Sequence, residues 1–544
     1  MTETSSDQAS VVAAVSAEER TEDTADAVAV DPVQTNGHAG VGDAAHGNGN
    51  GPPTDGDTTT TTGGGDGEDG EGGGGRIASR AMRGASFLFG REAMGSVVRL
   101  IGVIITVREI GPSNYGIFTA AAAFVAVVVT VCQMGTEIYL IRVKEEPTAR
   151  LNNEVYSLLL VTSVTATAIS IGLSFALLPL LRPVGVAVPL RVLLLCVPIN
   201  VLWAPAQAYI ERRFDYKKMG ILELGGDIVL YAVAIPLALL HFGAWSLVAG
   251  YFAWQSFLLI GSIVLSGLRP RWAWSNATAK DVLRHGTSYS TATFFQSLTQ
   301  VVNPLVVGTF VGAAGVGFVS FARNLVTTVG FAKRAAYRLG IVTMSALNRD
   351  NPSRFREGLE RGALLLTISL GVPFAIFGLA AHWLIPDLFG HEWAASLPVY
   401  CLLALAFMLG AIPMINVSLF YALGRNAVGA VGAFLNLLLL TVFSIGMVKL
   451  WGVNGFGIAS VVSLLAYLYN DYKMRKLAKY SMKLTILASV LLAPSMFLPM
   501  VPPPLGLVLL VPWVVFLLVK PLRSEIFDLW HTLRTSLRAR SLAT

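Results

Sequence analysis

The sequence has few of the residues that build disulfide frameworks or metal centres. Its 544 residues include three cysteines and seven histidines. Cys132, Cys196 and Cys401 all lie inside apolar runs, where a thiol behaves as a small hydrophobic side chain. Because neither residue type shows metal-ligand spacing, we expect no bound metal and no cofactor.

Charged residues are also scarce, at 14% of the chain, whereas hydrophobic residues make up 54%. Most of the apolar runs reach the roughly 20 residues that cross a bilayer core as a helix. We therefore predict an all-α membrane protein with about fourteen transmembrane helices. The runs lie near residues 84–107, 115–141, 155–181, 187–210, 219–240, 243–267, 286–311, 316–341, 362–386, 394–422, 427–448, 452–471, 484–501 and 504–519.

Basic residues are concentrated in alternate connections between these runs. One set of connections holds 32 lysines and arginines, and the opposite set holds four. Since basic residues near helix ends stay on the cytoplasmic side, we predict a multi-pass protein of the cell membrane with both termini cytoplasmic. The positive charge of that face suits contact with anionic lipid headgroups, and we expect no nucleic-acid partner.

Residues 1–75 differ in composition and are rich in Gly, Thr, Asp and Glu. They include 15 acidic residues and one basic residue, Arg20, and no apolar run that offsets the entropy of ordering. We predict a disordered acidic cytoplasmic tail over 1–75. Its formal charge of −14 stands beside +20 for the remaining chain, so the overall +6 combines two regions of opposite charge.

Two glycine-containing turns recur at a nearly constant distance along the chain. Residues 111–118 and 312–319 each join two apolar runs and are 201 residues apart. Gly243 and Gly452, 209 residues apart, occupy matching places in the order of runs. The recurrence predicts two pseudo-symmetric six-helix bundles, a transporter architecture with the substrate cavity between bundles. The predicted domains are an N-terminal bundle at 76–284, a C-terminal bundle at 285–480, and two extra helices with a basic cytoplasmic tail at 481–544.

Three segments resemble a known family. They are the turn around Gly111 and Tyr115-Gly116, the segment Glu211-Arg212-Arg213-Phe214-Asp215-Tyr216-Lys217, and Gly243-Ala244-Trp245-Ser246-Leu247-Val248. Over residues 80–480 the chain resembles polysaccharide flippases of the Wzx type, in the superfamily that includes multidrug antiporters and peptidoglycan-precursor flippases. The resemblance implies a V-shaped pair of bundles that alternates access. It implies that a polyprenyl-diphosphate-linked oligosaccharide moves from the inner to the outer leaflet, with membrane lipids and polysaccharide assembly proteins as further partners.

Two other functions stay open from the sequence. A multidrug-type antiporter needs a cavity carboxylate and little cationic lining, and the arginines in the first run argue against it. A membrane glycosyltransferase or polymerase needs catalytic carboxylates or a sizeable outer loop. The chain lacks a P-loop motif, and its densest outer group, Asp387, His391 and Glu392, fits a helix cap. We therefore expect a transporter and not an enzyme.

Ionisable residues inside the apolar runs are the candidates for substrate binding. Arg91, Glu92 and Arg99 fall in the first run, and Arg323 falls in the eighth. Arginine donates in pairs to phosphate oxygens and keeps its proton on burial. Helical spacing puts Glu92 and Arg99 within about 20° of one face, which we expect to look into the cavity. Alternatively, Glu92 neutralises a neighbouring arginine, or Arg91 and Arg323 extend their side chains to the membrane interface.

Three amide side chains follow one stripe of the seventh run. Gln296, Gln300 and Asn303 are spaced i, i+4 and i+7, and the 201-residue offset places Gln300 at the position of Arg99 in the repeat. Amides in this pattern can exchange hydrogen bonds with sugar hydroxyls along a glycan path. They can equally hold neighbouring helices together.

The same offset suggests a gate. It maps Gln133 onto Arg334 and Glu137 onto Arg338, near the cytoplasmic ends of the second and eighth runs. We hypothesise that Glu137 pairs with Arg338, with Arg334 beside it, when the cavity faces outward. The alternative is that both arginines are ordinary basic residues of a cytoplasmic loop.

The energy source has two candidate forms. The membrane potential favours outward movement of phosphate charges by about 2.3 kcal/mol per charge per 100 mV. Alternatively, Glu92, Glu223 or Asp227 couples transport to protons or Na⁺. Glu223 and Asp227 are four residues apart, and we expect them to pair with nearby basic residues: Arg212, Arg213 or Lys217.

Overall fold

The computed structural model describes residues 72–142, 147–181, 185–213, 215–330, 352–422, 425–478, 480–501 and 503–519. Within these ranges the chain is helical and contains no strand. The prediction of an all-α protein is confirmed. Residues 1–71 of the predicted acidic tail and residues 520–544 of the predicted basic tail lie outside the described residues.

The first half contains long helices and several short ones, two of which have proline as their second residue. Pro198 and Pro205 stand in the first turns of α5 and α6, where their missing N–H groups remove no hydrogen bond. These helices are α1 (Gly72–Gln133), α2 (Thr136–Arg142), α3 (Ala149–Leu181), α4 (Ala187–Leu194), α5 (Val197–Leu202), α6 (Ala204–Arg212), α7 (Tyr216–Leu239), α8 (Ala244–Ser266) and α9 (Asn276–Val302).

The second half continues in the same way, with short 3₁₀ and π segments between α-helices. Its α-helices are α10 (Gly308–Phe310), α11 (Ala313–Val329), α12 (Pro352–Phe389), α13 (Leu397–Leu409), α14 (Ala411–Ala422), α15 (Asn426–Trp451), α16 (Val453–Val462), α17 (Leu468–Ala478), α18 (Lys483–Leu492), α19 (Pro503–Gly506) and α20 (Val511–Leu518). A π-helix spans Asn303–Val307, and 3₁₀-helices span His391–Ser396, Ser463–Tyr467, Ala493–Met500 and Leu507–Leu510.

Ten stretches of the described chain are long and apolar enough to cross a membrane. One of them, Val97–Gln133, contains two helices joined at Gly111, whose φ of 72° and ψ of 168° break the helical path. Large apolar side chains such as Val264 and Leu518 are 70% and 71% exposed, as contact with lipid tails requires. The chain is a multi-pass membrane protein, and the count of fourteen crossings stays a prediction.

The turns between helices carry an internal repeat. Glycine adopts a positive φ at three pairs of turns, and the members of each pair are 201, 205 and 209 residues apart. The third pair matches in both angles, since Gly243 has φ 57° and ψ −130° and Gly452 has φ 57° and ψ −135°. The first two pairs are Gly111 (φ 72°) with Gly312 (φ 94°), and Gly185 (φ 82°) with Gly390 (φ 106°).

These turns meet in space at one side of the bundle. A Cβ atom built on Gly185 would lie 3.1 Å from Ile117, and one built on Gly243 would lie 3.1 Å from Asn114. The turns at Gly111 and Gly390 line one cavity. We call this the glycine-turn side, and we call the opposite side, where the basic connections lie, the basic side.

We call the predicted bundles at 76–284 and 285–480 the first and second repeat. The two repeats touch on the glycine-turn side through a reciprocal contact. A Cβ on Gly116 would lie 1.9 Å from the carbonyl oxygen of Ala313, and a Cβ on Gly317 would lie 2.1 Å from that of Pro112. Gly116 and Gly317 are 201 residues apart, as are Pro112 and Ala313. A contact that exchanges equivalent residues is what a twofold axis between repeats produces. We call these four residues the glycine contact.

A second contact joins the repeats on the basic side. A Cβ on Gly286 of α9 would lie 1.9 Å from the carbonyl oxygen of Met134, where the chain breaks between α1 and α2. The hydroxyl of Tyr139 on α2 donates to Oδ2 of Asp281 on α9 at 2.6 Å. We call this the basic-side contact. The interface between α1 and the second repeat is therefore closed at both ends.

The helices after Met482 pack against α12. A Cβ on Gly371 would lie 2.7 Å from Leu492, and a Cβ on Gly378 would lie 3.3 Å from Leu498. Nδ1 of His382 lies 3.1 Å from the carbonyl oxygen of Pro499. The small residues of α12 let this segment approach closely, so it rests on the second repeat.

The glycine contact predicts a stability effect for Gly116→Ala. The added methyl group would overlap the backbone at Ala313, and overpacking of this kind costs about 1–3 kcal/mol. We expect a lower unfolding temperature for the purified protein in detergent. The matched control is Gly172→Ala in α3, where a Cβ meets nothing within 4 Å. Equal unfolding temperatures for the two variants would show that the contact does not hold the repeats together.

Candidate functional site

An ion pair joins α1 to α7 inside the membrane-spanning region. Nη1 of Arg99 donates to Oδ2 of Asp227 at 2.7 Å. The Arg99 side chain is 29% exposed and that of Asp227 is 10% exposed. Asp227 was expected to pair with the basic residues near the start of α7, and the structure shows Arg99 on α1 as an ion-pair partner. The carboxylate therefore lies behind a guanidinium that keeps an accessible edge.

Gly102 on α1 makes this approach of α7 feasible. A Cβ on Gly102 would lie 2.2 Å from the ring of Tyr231, which is one turn beyond Asp227. A Cβ on Gly95 would lie 3.4 Å from Nη1 of Arg99 and 3.7 Å from Oδ2 of Asp227. Helical spacing puts Gly95, Arg99 and Gly102 on one face of α1. The face that was expected to look into the cavity thus packs in part against α7.

Arg323 on α11 has a different environment. It has no hydrogen-bond or ion-pair partner among the residues that the structure describes. The residue is exposed, whereas its neighbours Phe321 and Ala322 on α11 are buried. Its guanidinium therefore has all five N–H donors available.

The predicted amide stripe divides into two parts. Asn303 is 5% exposed, and its Nδ2 donates to Oγ of Ser320 on α11 at 3.0 Å. Its Oδ1 is buried without a partner in the described part of the chain. Asn303 therefore joins helices, which was one of its two predicted roles. Gln296 and Gln300, by contrast, are exposed.

Tyr115 is a residue of this region that sequence reasoning missed as a functional candidate. Its hydroxyl accepts a hydrogen bond from Nδ2 of Asn324 at 3.4 Å, and its ring meets Trp393 edge to face at a centroid distance of 5.8 Å. Trp393 also packs on Phe321 of α11 at 4.5 Å. The only sequence signal was the Tyr-Gly pair after the Gly111 turn. These contacts tie α1, α11 and the turn after α12 together beside the glycine contact.

The gate residues are only partly described. Glu137 accepts a hydrogen bond from Nε2 of Gln207 at 3.1 Å. Arg334 and Arg338 lie outside the described residues, so the proposed pairing stays a prediction. The side chains of Arg91 and Glu92 also lie outside them, and only their helical backbone is described.

A cavity of about 570 Å³ opens on the glycine-turn side. It lies between the Gly111 turn and the turn that follows α12, and its ionisable lining residues are Arg108, Glu109, His391 and Glu392. Glu392 stands in the first turn of a 3₁₀-helix, where a carboxylate favours the helix dipole. The N-cap residue of this helix is Gly390 and no side chain caps it, so the predicted side-chain cap is wrong. No group of three or more potential metal ligands occurs in the described ranges.

Comparisons with known proteins extend these observations. The succinoglycan biosynthesis transport protein ExoT of Rhizobium meliloti (strain 1021) is 24% identical over 316 residues, which span 57% of this chain and 62% of that protein. The chain therefore matches less than two thirds of that relative.

Two solved structures share the fold. The lipid II flippase MurJ in an inward closed conformation has a TM-score of 0.62 at 13% identity, covering 85% of this chain and 99% of that chain. The MATE multidrug transporter DinF-BH has a TM-score of 0.50 at 16% identity, covering 73% and 97%. At these identities the likeness concerns the fold alone.

A family model described as polysaccharide biosynthesis protein matches residues 105–398, which is more than half of the chain. The matched range includes Asp227 and Arg323 and begins six residues after Arg99. Together with the fold, it confirms the family resemblance predicted from the Gly111 and Gly243 turns. The chain belongs to the polysaccharide biosynthesis protein family.

Proposed function

We propose that this protein is a flippase that moves a polyprenyl-(di)phosphate-linked oligosaccharide from the inner to the outer leaflet by alternating access. The transported glycolipid would serve polysaccharide or glycoconjugate assembly. The observation that carries the proposal is Arg323, an accessible guanidinium in an apolar helix without a partner among the described residues. We propose that it lines the internal space between the repeats. The family match and the transporter fold support it.

The chemistry of Arg323 suits a phosphate headgroup. An arginine inside a membrane costs about 2.5–3.5 kcal/mol on insertion scales, so it persists where a function needs it. Its planar fork donates two parallel hydrogen bonds to phosphate oxygens and stays charged on burial. Arg99 is a second cation of the path. We further propose Arg91, Glu92, Gln296 and Gln300 for the path of headgroup and sugar.

Two contacts between the repeats support alternating access. The glycine contact closes one side of the interface and the basic-side contact closes the other. Passage of a headgroup requires that one contact opens while the other stays closed. The reciprocal form of the glycine contact suits a rocking motion about the axis between repeats, because both halves then move alike.

The orientation follows from the distribution of charge. We propose that the basic side is cytoplasmic and that both termini lie there, in the cell membrane. The proposed domains are bundles at 76–284 and 285–480, the added segment at 481–544 and an acidic tail at 1–75. Membrane lipids and polysaccharide assembly proteins are the proposed further partners. The membrane potential would favour outward movement of the phosphate charges.

A cation antiporter fits the site less well. An unpaired arginine in the internal space repels a cationic drug and attracts an anion. A glycosyltransferase or polymerase has no support from the fold, since the two similar structures described above bear the names of a flippase and a multidrug transporter. The proposed activity is therefore transport without a chemical reaction.

The first test replaces the arginine of the internal space. Arg323→Ala should lower the flipping rate of a fluorescent diphospholipid-linked oligosaccharide in proteoliposomes by at least about tenfold, since it removes a charged hydrogen-bond donor to phosphate. Arg323→Lys should retain part of the rate, because it keeps the charge and loses the fork.

The matched control is Arg191→Ala. Arg191 also stands in a membrane span, but its Nε donates to Oγ of Ser174 at 3.0 Å and its guanidinium lies 3.6 Å from the ring centroid of Phe175. Its replacement should leave the flipping rate near that of the wild type. Wild-type flipping by the Arg323→Ala protein would contradict the proposal.

The second test addresses the proposed cytoplasmic gate. Glu137→Arg and Arg338→Glu should each slow flipping severalfold, and the double exchange should restore most of the rate, because it re-forms the ion pair with reversed polarity. Gln207→Leu is the control, since Gln207 is the hydrogen-bond donor to Glu137. The proposed gate is wrong if the double variant flips no faster than either single variant and Gln207→Leu slows flipping by a similar factor.

A further inference from the structure

The two arginines of the proposed path differ in their counter-charge. Arg323 has no carboxylate partner within the described ranges, whereas Arg99 donates to Asp227 at 2.7 Å. A cation that only binds an anionic headgroup retains it. A cation with a carboxylate of its own can exchange one anion for another, because the guanidinium has an anionic partner before the headgroup arrives and after it leaves.

The geometry allows such an exchange. Arg99 gives Nη1 to Asp227, and a guanidinium has five N–H donors in a planar fork. The Arg99 side chain is 29% exposed and the Asp227 side chain is 10% exposed. An approaching anion therefore reaches the guanidinium first, and the carboxylate competes with it from the protected side.

Packing holds the pair at a fixed distance. Tyr231, one helical turn after Asp227, lies against Gly102 so closely that a Cβ there would be 2.2 Å from its ring. A Cβ on Gly95 would make only ordinary contacts with both charged groups, at 3.4 Å from Arg99 and 3.7 Å from Asp227. The carboxylate cannot follow the guanidinium far without separating α1 from α7, so movement of the Arg99 side chain toward a headgroup weakens the ion pair.

We propose that Asp227 is the positioning counter-ion of Arg99, which competes with the diphosphate of a lipid-linked substrate and thereby promotes its release. This inference rests on the proposed function and assigns a role to a residue on a different helix from the arginine. Asp227 itself does not touch the substrate in this account. Its removal should therefore tighten headgroup binding and slow turnover, a combination that simple structural damage does not produce.

The test measures binding and flipping separately. Farnesyl diphosphate is the binding probe for the purified full-length protein in detergent, and the flipping rate is measured in proteoliposomes with the fluorescent diphospholipid-linked oligosaccharide. Asp227→Asn, which keeps the shape and removes the charge, should bind the probe about tenfold tighter and flip about tenfold more slowly. Asp227→Glu, which keeps the charge, should remain within about threefold of the wild type in both measurements.

Asp215→Asn is the matched control. Asp215 accepts from the backbone N–H of Lys218 at the start of α7, and its side chain is 35% exposed. This variant should bind and flip like the wild type. A result in which Asp227→Asn binds the probe no tighter than the wild type would overturn the proposed role.

A double variant keeps the test decisive if Asp227→Asn does not fold. Arg99→Gln with Asp227→Asn removes both charges and should bind the probe more weakly than the wild type, because the exchangeable cation is gone. Binding equal to the wild type would exclude Arg99 and Asp227 from the headgroup site. Failure of the wild type to bind farnesyl diphosphate or to flip the glycolipid would instead refute the proposed function itself.

Discussion

A guanidinium inside a membrane must be neutralised, stacked or hydrated, and the arginines of this protein meet that requirement in different ways. Arg99 lies against the carboxylate of Asp227. Arg191 uses the hydroxyl of Ser174 and the ring of Phe175. Arg323 is exposed and has no hydrogen-bond or ion-pair partner in the described chain. Each unsatisfied charge in hydrocarbon costs several kcal/mol. A protein sequence therefore keeps an unpaired arginine in a membrane helix where that arginine binds an anion.

Two contacts hold the repeats together on opposite sides of the bundle. At both ends of the interface, glycine brings the backbone of one repeat against the backbone of the other, at Gly116 with Gly317 and at Met134 with Gly286. Backbone contacts of this kind lack long side chains that would have to be rearranged when the helices part. The hydrogen bond from Tyr139 to Asp281 adds a specific link on the basic side. In the proposed transport cycle these two contacts open in turn.

The helices and the repeat could be predicted from sequence because both depend on local properties. Apolar length sets the spans, and a turn that needs a positive φ selects glycine, as at Gly243 and Gly452. The partner of Asp227 could not be predicted, because it lies 128 residues away and depends on how α1 and α7 pack. The packing in turn depends on Gly102, because a Cβ at this position would overlap the ring of Tyr231.

In the candidate site, too, the local properties could be predicted from the sequence and the contacts between helices could not. The sequence identified Arg99 and Arg323 as charges inside apolar runs, which is a local property. It did not distinguish the buried Asn303 from the exposed Gln300. Asn303, in the π-helix that follows α9, contacts Ser320 on α11, whereas Gln300 on α9 is exposed. It also missed Tyr115, since an aromatic residue in an apolar run carries no sign of its contact with Asn324. The periodicity of the sequence identifies the residues that share one face of a helix. The role of that face depends on which neighbouring helix packs against it.

The most direct test of the central claim is an experimental structure of the protein with a diphosphate-linked oligosaccharide bound in a lipid nanodisc. The account predicts phosphate oxygens within about 2.7–3.0 Å of the Arg323 guanidinium nitrogens, the distance of a charge-assisted hydrogen bond. A headgroup bound elsewhere, with Arg323 facing lipid or paired to a carboxylate of the protein, would contradict it.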